Sequence, residues 1–144
     1  MKPSRTWACW ITGACLAGLA ACSTAPTAAG CAAEDISAEQ LVGTWRVTWA
    51  GQSMPWTLLL RPHPEHEGSL RGTLMQNPQH FAVAADIEEG EFTMEESHDG
   101  QRIAATWLGK LQAGSCGQII TGERQEGSAG QAPQRFEMRS DRLR

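Results

Sequence analysis

The chain has 144 residues, with 12 basic and 16 acidic side chains and a formal net charge of −4. This length suits one domain with its own hydrophobic core. The acidic balance argues against a nucleic-acid-binding protein, which needs a basic face, and against electrostatic adhesion to anionic lipid.

The first 21 residues have the three parts of a secretion signal. Lys2 and Arg5 supply a short positive region, residues 7–19 form an apolar stretch without a charge, and small residues follow. The stretch is shorter than the roughly 20 apolar residues that a membrane-spanning helix needs. A buried N-terminal helix is the alternative, but no downstream segment is patterned to receive it. We therefore predict that residues 1–21 are a signal peptide.

The end of this segment, Leu19-Ala20-Ala21-Cys22, resembles the lipobox of bacterial lipoproteins. The resemblance implies that Cys22 is the lipid attachment site, that cleavage occurs directly before it, and that further acylation adds chains such as palmitate. Two or three acyl chains, at about 0.8 kcal/mol per buried CH₂, hold a protein stably on a membrane. Since aspartate after the cysteine retains such lipoproteins at the inner membrane, Ser23 favours the outer membrane, with the domain facing the periplasm.

Residues 22–34 are mostly small residues, chiefly alanine, with one proline, and we predict that they form a lipidated, flexible linker. With Cys22 lipidated and two further cysteines lost with the signal peptide, Cys31 and Cys116 remain as an even pair in an oxidising compartment. We predict a disulfide between them, worth about 4–5 kcal/mol in the chain-entropy model. Two free thiols or intermolecular bonds are the alternatives.

Residues 35–144 are predicted to form an all-β domain. Ser37 and Gln40 have the spacing of a capping box, which predicts one short helical turn. After it, apolar residues alternate with polar ones in eight short segments separated by turn residues, which indicates strands. The apolar faces are Trp45, Val47 and Trp49; Trp56, Leu58 and Leu60; Leu70, Gly72 and Leu74; Phe81, Val83, Ala85 and Ile87; Phe92 and Met94; Ile103, Ala105 and Trp107; Ile119 and Thr121; Phe136 and Met138.

Eight short strands with short connections favour a small antiparallel up-and-down barrel, because closure leaves no exposed sheet edge. The other face of the strands carries charged residues such as Arg46, Arg71 and Glu95. A membrane-spanning barrel would have an apolar band there, so we expect a barrel in aqueous surroundings.

Two short segments resemble lipocalins and avidins, the calycin barrels. Gly43-Thr44-Trp45 is similar to the start of these families, where the tryptophan closes the barrel floor, and Ala105-Thr106-Trp107-Leu108-Gly109 is similar to an avidin strand that lines the ligand pocket. We accordingly predict Trp49, Trp56 and Trp107 as ligand-binding residues. The alternative is that these rings only fill the core. Gly72, without a side chain, is expected to leave room in the lumen.

We predict no metal site, no cofactor and no enzymatic activity. His63, Glu65, His66 and Glu67 are possible zinc ligands, but they fall in an exposed loop, where charged residues are common. His98 and Asp99 lie on a turn without a nucleophile, and no phosphate-binding motif occurs. Glu96 is the one acidic residue on the inward register of its strand, and we place it at a rim.

The function that the sequence favours is a lipid-anchored, periplasm-facing binding module, similar to a lipocalin, that holds a small apolar or amphipathic ligand. The alternative is a protein-interaction module, such as an inhibitor of a lysozyme-type hydrolase or an accessory lipoprotein of envelope assembly. That alternative would use a protruding loop such as residues 124–133. The expected partners are the membrane, through the anchor, and a small ligand or an envelope protein, but not nucleic acid.

Overall fold

The computed structural model of the protein describes residues 31–127 and 130–142. The predictions for the signal peptide, for Cys22 and for residues 22–30 of the linker lie outside the described residues. Two short 3₁₀ turns, Ala33–Asp35 and Ala38–Leu41, precede eight strands. The strands are β1 (Gly43–Trp49), β2 (Trp56–Pro62), β3 (Leu70–Gln76), β4 (Gln79–Glu88), β5 (Glu91–Ser97), β6 (Ile103–Leu111), β7 (Ile119–Glu126) and β8 (Gln134–Ser140).

The eight strands form one closed barrel in sequence order, and each pairs antiparallel with its neighbours. The predicted up-and-down barrel is therefore confirmed. Closure is made by β8 against β1, where Val47 pairs with Met138 and Trp49 with Phe136. The apolar side of nearly every strand points into the barrel, as the period-2 pattern requires, and these side chains form one continuous core.

The predicted face of β7 is wrong by one residue. Ile120 and Arg124 are buried on the inward face, whereas Thr121 is exposed. The error arose because Ile119 and Ile120 are adjacent, so an alternating pattern that starts from either isoleucine fits the strand. In addition, the residue type at position 124, an arginine, gives no sign that it points inward. Ile103, expected on the inward face of β6, is 55% exposed near the start of that strand.

Two glycines at inward-facing strand positions allow neighbouring strands to approach closely and do not leave empty space in the lumen. A Cβ atom at Gly72 would overlap the carbonyl oxygen of Leu59 on the neighbouring strand. A Cβ atom at Gly122 would likewise overlap the carbonyl oxygen of Leu108. The expectation that Gly72 leaves room in the lumen is therefore wrong, because the adjacent strand already occupies that space.

The two ends of the barrel are built differently. At one end, here called the closed end, the turn Ala38–Leu41 lies against the start of β1, and Leu41 is fully buried. The indole Nε1 of Trp45 donates a hydrogen bond of 2.9 Å to the Leu41 carbonyl oxygen. The predicted capping box is present, with the Ser37 backbone N–H donating to Gln40 Oε1 at 2.9 Å. Trp45 is thus fully buried at the closed end and bonded to the turn that precedes β1.

The disulfide between Cys31 and Cys116 is confirmed, and it ties the start of the described chain to the β6–β7 connection at the closed end. Ala33 lies against Gly90 in the β4–β5 turn. Cys31 and Ala33, which we assigned to the linker, are therefore in contact with the barrel. None of the helices within 31–127 and 130–142 is long and apolar enough to cross a bilayer.

Candidate functional site

The end of the barrel opposite the closed end, here called the mouth, brings together the three tryptophans that the sequence singled out. Trp49 is the last residue of β1, Trp56 is the first residue of β2, and Trp107 lies in β6. The ring centroids of Trp49 and Trp56 are 4.6 Å apart with the rings nearly perpendicular, and those of Trp49 and Trp107 are 5.2 Å apart. Their assignment as ligand-binding residues stays a prediction.

Further rings extend this aromatic cluster toward solvent. Phe81 packs on Trp56 with a centroid separation of 5.9 Å, and the His98 ring lies 4.3 Å from Phe81. On the other side, Phe136 lies 4.9 Å from Trp107. The rings of the mouth contact one another, so a ligand must either rest on them or part them.

A buried ion pair lies beside these rings. Glu96, on β5, is fully buried, and Arg124, on β7, is 4% exposed. Arg124 Nε donates to Glu96 Oε2 at 2.9 Å, and Arg124 Nη2 donates to Glu96 Oε1 at 3.1 Å. The inward register of Glu96 was predicted, but its place is the interior rather than a rim, because Arg124 reaches it from across the barrel.

Arg124 is the functional candidate that sequence reasoning missed. The expectation placed it in a protruding loop at 124–133, but it belongs to β7, which runs to Glu126. The signal that could have found it was the spacing of Ile120, Gly122 and Arg124, which share one strand face. The loop available to an interaction module is correspondingly shorter than predicted.

Arg124 makes two further polar contacts on its outer side. Its Nη1 donates to Glu126 Oε1 at 2.7 Å and to Gln134 Oε1 at 3.3 Å. The guanidinium carbon also lies 5.6 Å from the Trp107 ring centroid and 6.0 Å from that of Trp49. These are distances at which a cation is attracted to an aromatic face. The guanidinium is thus held between two carboxylates and two indole rings.

Glu96 accepts hydrogen bonds from three side chains. Besides the two from Arg124, Trp107 Nε1 donates to Oε2 at 3.1 Å, and His98 Nε2 lies 2.8 Å from Oε1. Because an ionised carboxylate only accepts, the His98 nitrogen is the donor in that contact. Burial alone would raise the pKa of Glu96, but hydrogen bonds from Arg124 and His98, together with the positive charge of Arg124, hold it below the ordinary value of 4.5.

The same interactions act on Arg124 with the opposite sign. Burial alone would lower the pKa of its guanidinium, but hydrogen bonds to Glu96 and Glu126 and the attraction of both carboxylates raise it above its ordinary value. The pair is therefore ionised at neutral pH. A buried ion pair contributes little net stability compared with well-packed apolar residues, so its presence suggests a role in specificity or function.

Two buried hydrogen-bond donors in the mouth lack a partner. Trp49 and Trp56 are 7% and 8% exposed, and their Nε1 atoms have no hydrogen-bond acceptor among the described residues. A buried donor that is left unsatisfied costs about 1–3 kcal/mol. Such groups are scarce in native proteins and need an explanation. Trp107 has the same ring in the same cluster but is satisfied by Glu96.

The histidine-containing loop is organised by its own backbone. His63 Nδ1 accepts hydrogen bonds from the backbone N–H groups of Glu65 and His66, both at 3.2 Å. The described residues contain no group of three or more histidine, cysteine, aspartate or glutamate side chains placed to hold a metal ion.

At the β5–β6 turn, Asp99 Oδ1 accepts from the backbone N–H groups of Arg102 and Gln101, which lower the pKa of Asp99.

A second concave feature lies on the outside of the barrel. It is a groove of about 580 Å³ across the outer faces of β5, β6 and β7. Leu108, which lies within it, is 59% exposed. Threonines at positions 93, 106 and 121 flank this leucine. The groove is distinct from the mouth, since Leu108 and the three threonines lie on the outward faces of their strands.

No protein-family model matches the chain, and no curated protein is detectably similar to it in sequence.

Proposed function

We propose that the protein is an envelope binding module that holds a small amphipathic ligand at the mouth of its barrel, with Cys22 as its lipid anchor. The observation that carries the proposal is the pair of buried, unpartnered indole N–H groups on Trp49 and Trp56. A ligand with a hydrogen-bond acceptor would satisfy both donors and recover the desolvation cost that the protein bears without it.

The surroundings of these donors have the composition of a small-molecule site. Ligand sites are lined mainly by apolar and aromatic side chains, with a few polar groups that fix orientation. The mouth has the rings of Trp49, Trp56, Trp107 and Phe81 and one interior cation, Arg124. Trp49 and Trp56 also flank the six-residue β1–β2 loop.

The indole N–H signals in ¹H–¹⁵N NMR spectra of the purified protein test this proposal. On titration with decanoate, the Trp49 and Trp56 signals should move downfield to saturation as they gain an acceptor. The indole of Trp45, which is bonded to Leu41, should not move, so it serves as an internal control. Phenylalanine variants at each position assign the signals. The proposal fails if neither mouth signal responds to any amphipathic molecule.

Trp107 gives a second test. If its ring helps to bind the ligand, Trp107→Ala should weaken binding by more than it lowers stability. If the ring is only a core element, the substitution should cost about 3–5 kcal/mol of unfolding free energy, with no specific effect on the affinity of the folded fraction.

The alternative function, a protein-interaction module, is favoured by the outer groove around Leu108. An exposed apolar depression on the surface of a protein is a candidate interaction site for a partner. If the protein inhibits a lysozyme-type hydrolase through this face, Leu108→Arg should abolish inhibition in a cell-wall lysis assay. Thr57→Arg, on the outer face of β2, is the matched control and should have no effect.

A further inference from the structure

We propose that the mouth selects amphipathic molecules with an anionic head group, of which a carboxylate is the simplest, and that this head group replaces the Glu126 carboxylate on Arg124. The inference rests on the proposed ligand site at the mouth and adds the chemical class of its ligand. It also assigns Glu126 a role as the protein's own occupant of the head-group position.

The two edges of the Arg124 guanidinium have different partners. The inner edge, Nε and Nη2, is held by Glu96, whose side chain is fully buried. The outer nitrogen, Nη1, is held by Glu126, whose side chain is 36% exposed and which ends β7 at the mouth. Glu126 can therefore turn into water at little cost, whereas Glu96 cannot leave. An exchange at Nη1 leaves the buried pair intact.

The mouth contains hydrogen-bond donors that lack an acceptor. Both oxygens of Glu96 already accept hydrogen bonds, and Gln134 Oε1 accepts from Arg124. The donors in excess are the Nε1–H groups of Trp49 and Trp56. A carboxylate has about four acceptor positions and no donor when ionised. These positions are enough for Arg124 Nη1 and an indole N–H, and the guanidinium carbon of Arg124 lies 6.0 Å from the Trp49 ring centroid.

The charges explain why exchange, rather than simple addition, is required. Arg124 carries one positive charge, while Glu96 and Glu126 carry two negative charges, so an added anion would be repelled. Replacement of Glu126 by a ligand carboxylate keeps the charge around Arg124 unchanged.

A cationic head group fits the mouth less well. It has no acceptor atom to which the indole N–H groups of Trp49 and Trp56 could donate. The Trp49 and Trp107 rings, which could otherwise attract it, already have the Arg124 guanidinium near them. The anionic class is therefore the one that uses both the free donors and the exposed edge of Arg124.

The test compares three amphipathic molecules with the same tail: decanoate, decanol and decyltrimethylammonium. Calorimetric titration of the purified protein should give decanoate an affinity at least about tenfold above that of decanol, since a charge-assisted hydrogen bond contributes about 1.5 kcal/mol or more. Decyltrimethylammonium should bind more weakly than decanol. This ranking is measured on the unaltered protein and does not depend on a variant that folds.

Glu126→Gln then tests the exchange itself. Removal of the competing negative charge should raise the affinity for decanoate about fivefold and leave that for decanol unchanged. Glu123→Gln is the matched control, because Glu123 lies on the same strand but faces outward, 55% exposed and 3.7 Å from Arg135. The control should bind decanoate as the unaltered protein does.

The outcomes separate the two proposals. If decanol or decyltrimethylammonium binds as tightly as decanoate, or if Glu126→Gln weakens decanoate binding or leaves it unchanged, the head-group inference is overturned and the mouth remains a ligand site. If none of the three molecules binds or shifts the Trp49 and Trp56 signals, the proposed function fails as well.

Discussion

The closed end and the mouth of this barrel use the same residue type in two different ways. At the closed end, Trp45 is fully buried and its indole nitrogen donates to the Leu41 carbonyl oxygen. At the mouth, Trp49 and Trp56 are nearly as buried, but their indole nitrogens have no acceptor among the described residues. Burial alone thus does not separate Trp45 from Trp49 and Trp56, whereas hydrogen-bond satisfaction of the indole nitrogen does.

The two ends also differ in how they are held together. The closed end combines a disulfide, two 3₁₀ turns and apolar packing of Ile36 and Leu41. The mouth is held by aromatic contacts and by the Glu96–Arg124 ion pair. Apolar packing is non-directional, but an ion pair requires specific geometry. The mouth, whose ion pair is buried, should therefore respond more strongly to changes of charge than the closed end, whose ion pair between Lys110 and Glu91 is exposed.

The largest expected effect is removal of the disulfide. Cys31→Ser combined with Cys116→Ser should lower the unfolding free energy by about 4–5 kcal/mol, because the bridge closes a loop across a separation of 85 residues. Urea denaturation measures the loss. In the folded variant the Trp45 indole signal should shift while those of Trp49 and Trp56 stay in place. A shift confined to the mouth would contradict the division into two ends.

Removal of Glu96 from the buried ion pair should cost about 3–5 kcal/mol, because buried nitrogens of the Arg124 guanidinium lose their acceptor. In Glu96→Ala, Arg124 keeps Glu126 and Gln134 at Nη1, but Nε and Nη2 lose the carboxylate that they bind. Urea denaturation reports the loss. Glu95→Ala, the outward-facing neighbour on β5, is the control and should change stability by about 0.5 kcal/mol or less. Replacement of both Glu96 and Arg124 by leucine should recover much of the loss. If the Glu96→Ala variant is as stable as the Glu95→Ala control, the ion pair does not stabilise the mouth.

A smaller effect is expected from acid. Because the pKa of Glu96 is held below its ordinary value of 4.5 in the folded protein, the unfolded state binds more protons. The stability that this carboxylate contributes is therefore complete above pH 4.5 and is lost as the pH falls below that value through the folded-state pKa. Glu96→Gln should flatten this part of the curve of unfolding free energy against pH. An unchanged acid limb in that variant would assign the acid sensitivity to other groups.

The smallest expected effect compares the tryptophans directly. Trp45→Phe removes a satisfied hydrogen bond, whereas Trp49→Phe and Trp56→Phe remove only an unpartnered donor. Beyond the cost of lost ring volume that all three share, Trp45→Phe should be about 1 kcal/mol more destabilising. Thermal or urea unfolding of the three variants measures the difference. Equal losses at all three positions would mean that the mouth indoles are satisfied in the free protein.

Much of the fold was predictable because it depends on local patterns. Alternation of apolar and polar residues placed seven of the eight strand faces correctly, and the capping box at Ser37 and Gln40 predicted the turn before β1. His98 and Asp99 were placed on a turn, and they lie in the connection between β5 and β6. The pairing of Cys31 with Cys116 was predicted from the number of available cysteines.

The candidate site was predictable only in part. Trp49, Trp56 and Trp107 were identified because large aromatic rings on an inward face have few other uses in a small barrel. The strand register brings these rings together at one end of the barrel. The position of Glu96 gives an acceptor to Trp107 alone among the three. Neither fact is visible in a strand considered alone.

By itself, the sequence of this protein determined the class of fold, the order and most faces of its strands, and the disulfide, since each of these follows from periodicity, turn chemistry or composition. Only the tertiary structure decided the inward position of Arg124, its pairing with Glu96 across the barrel and the unsatisfied donors of the mouth. The physical reason is that a charged residue in a strand looks exposed until a partner is found, and here that partner lies 28 residues away, on a strand two positions around the barrel.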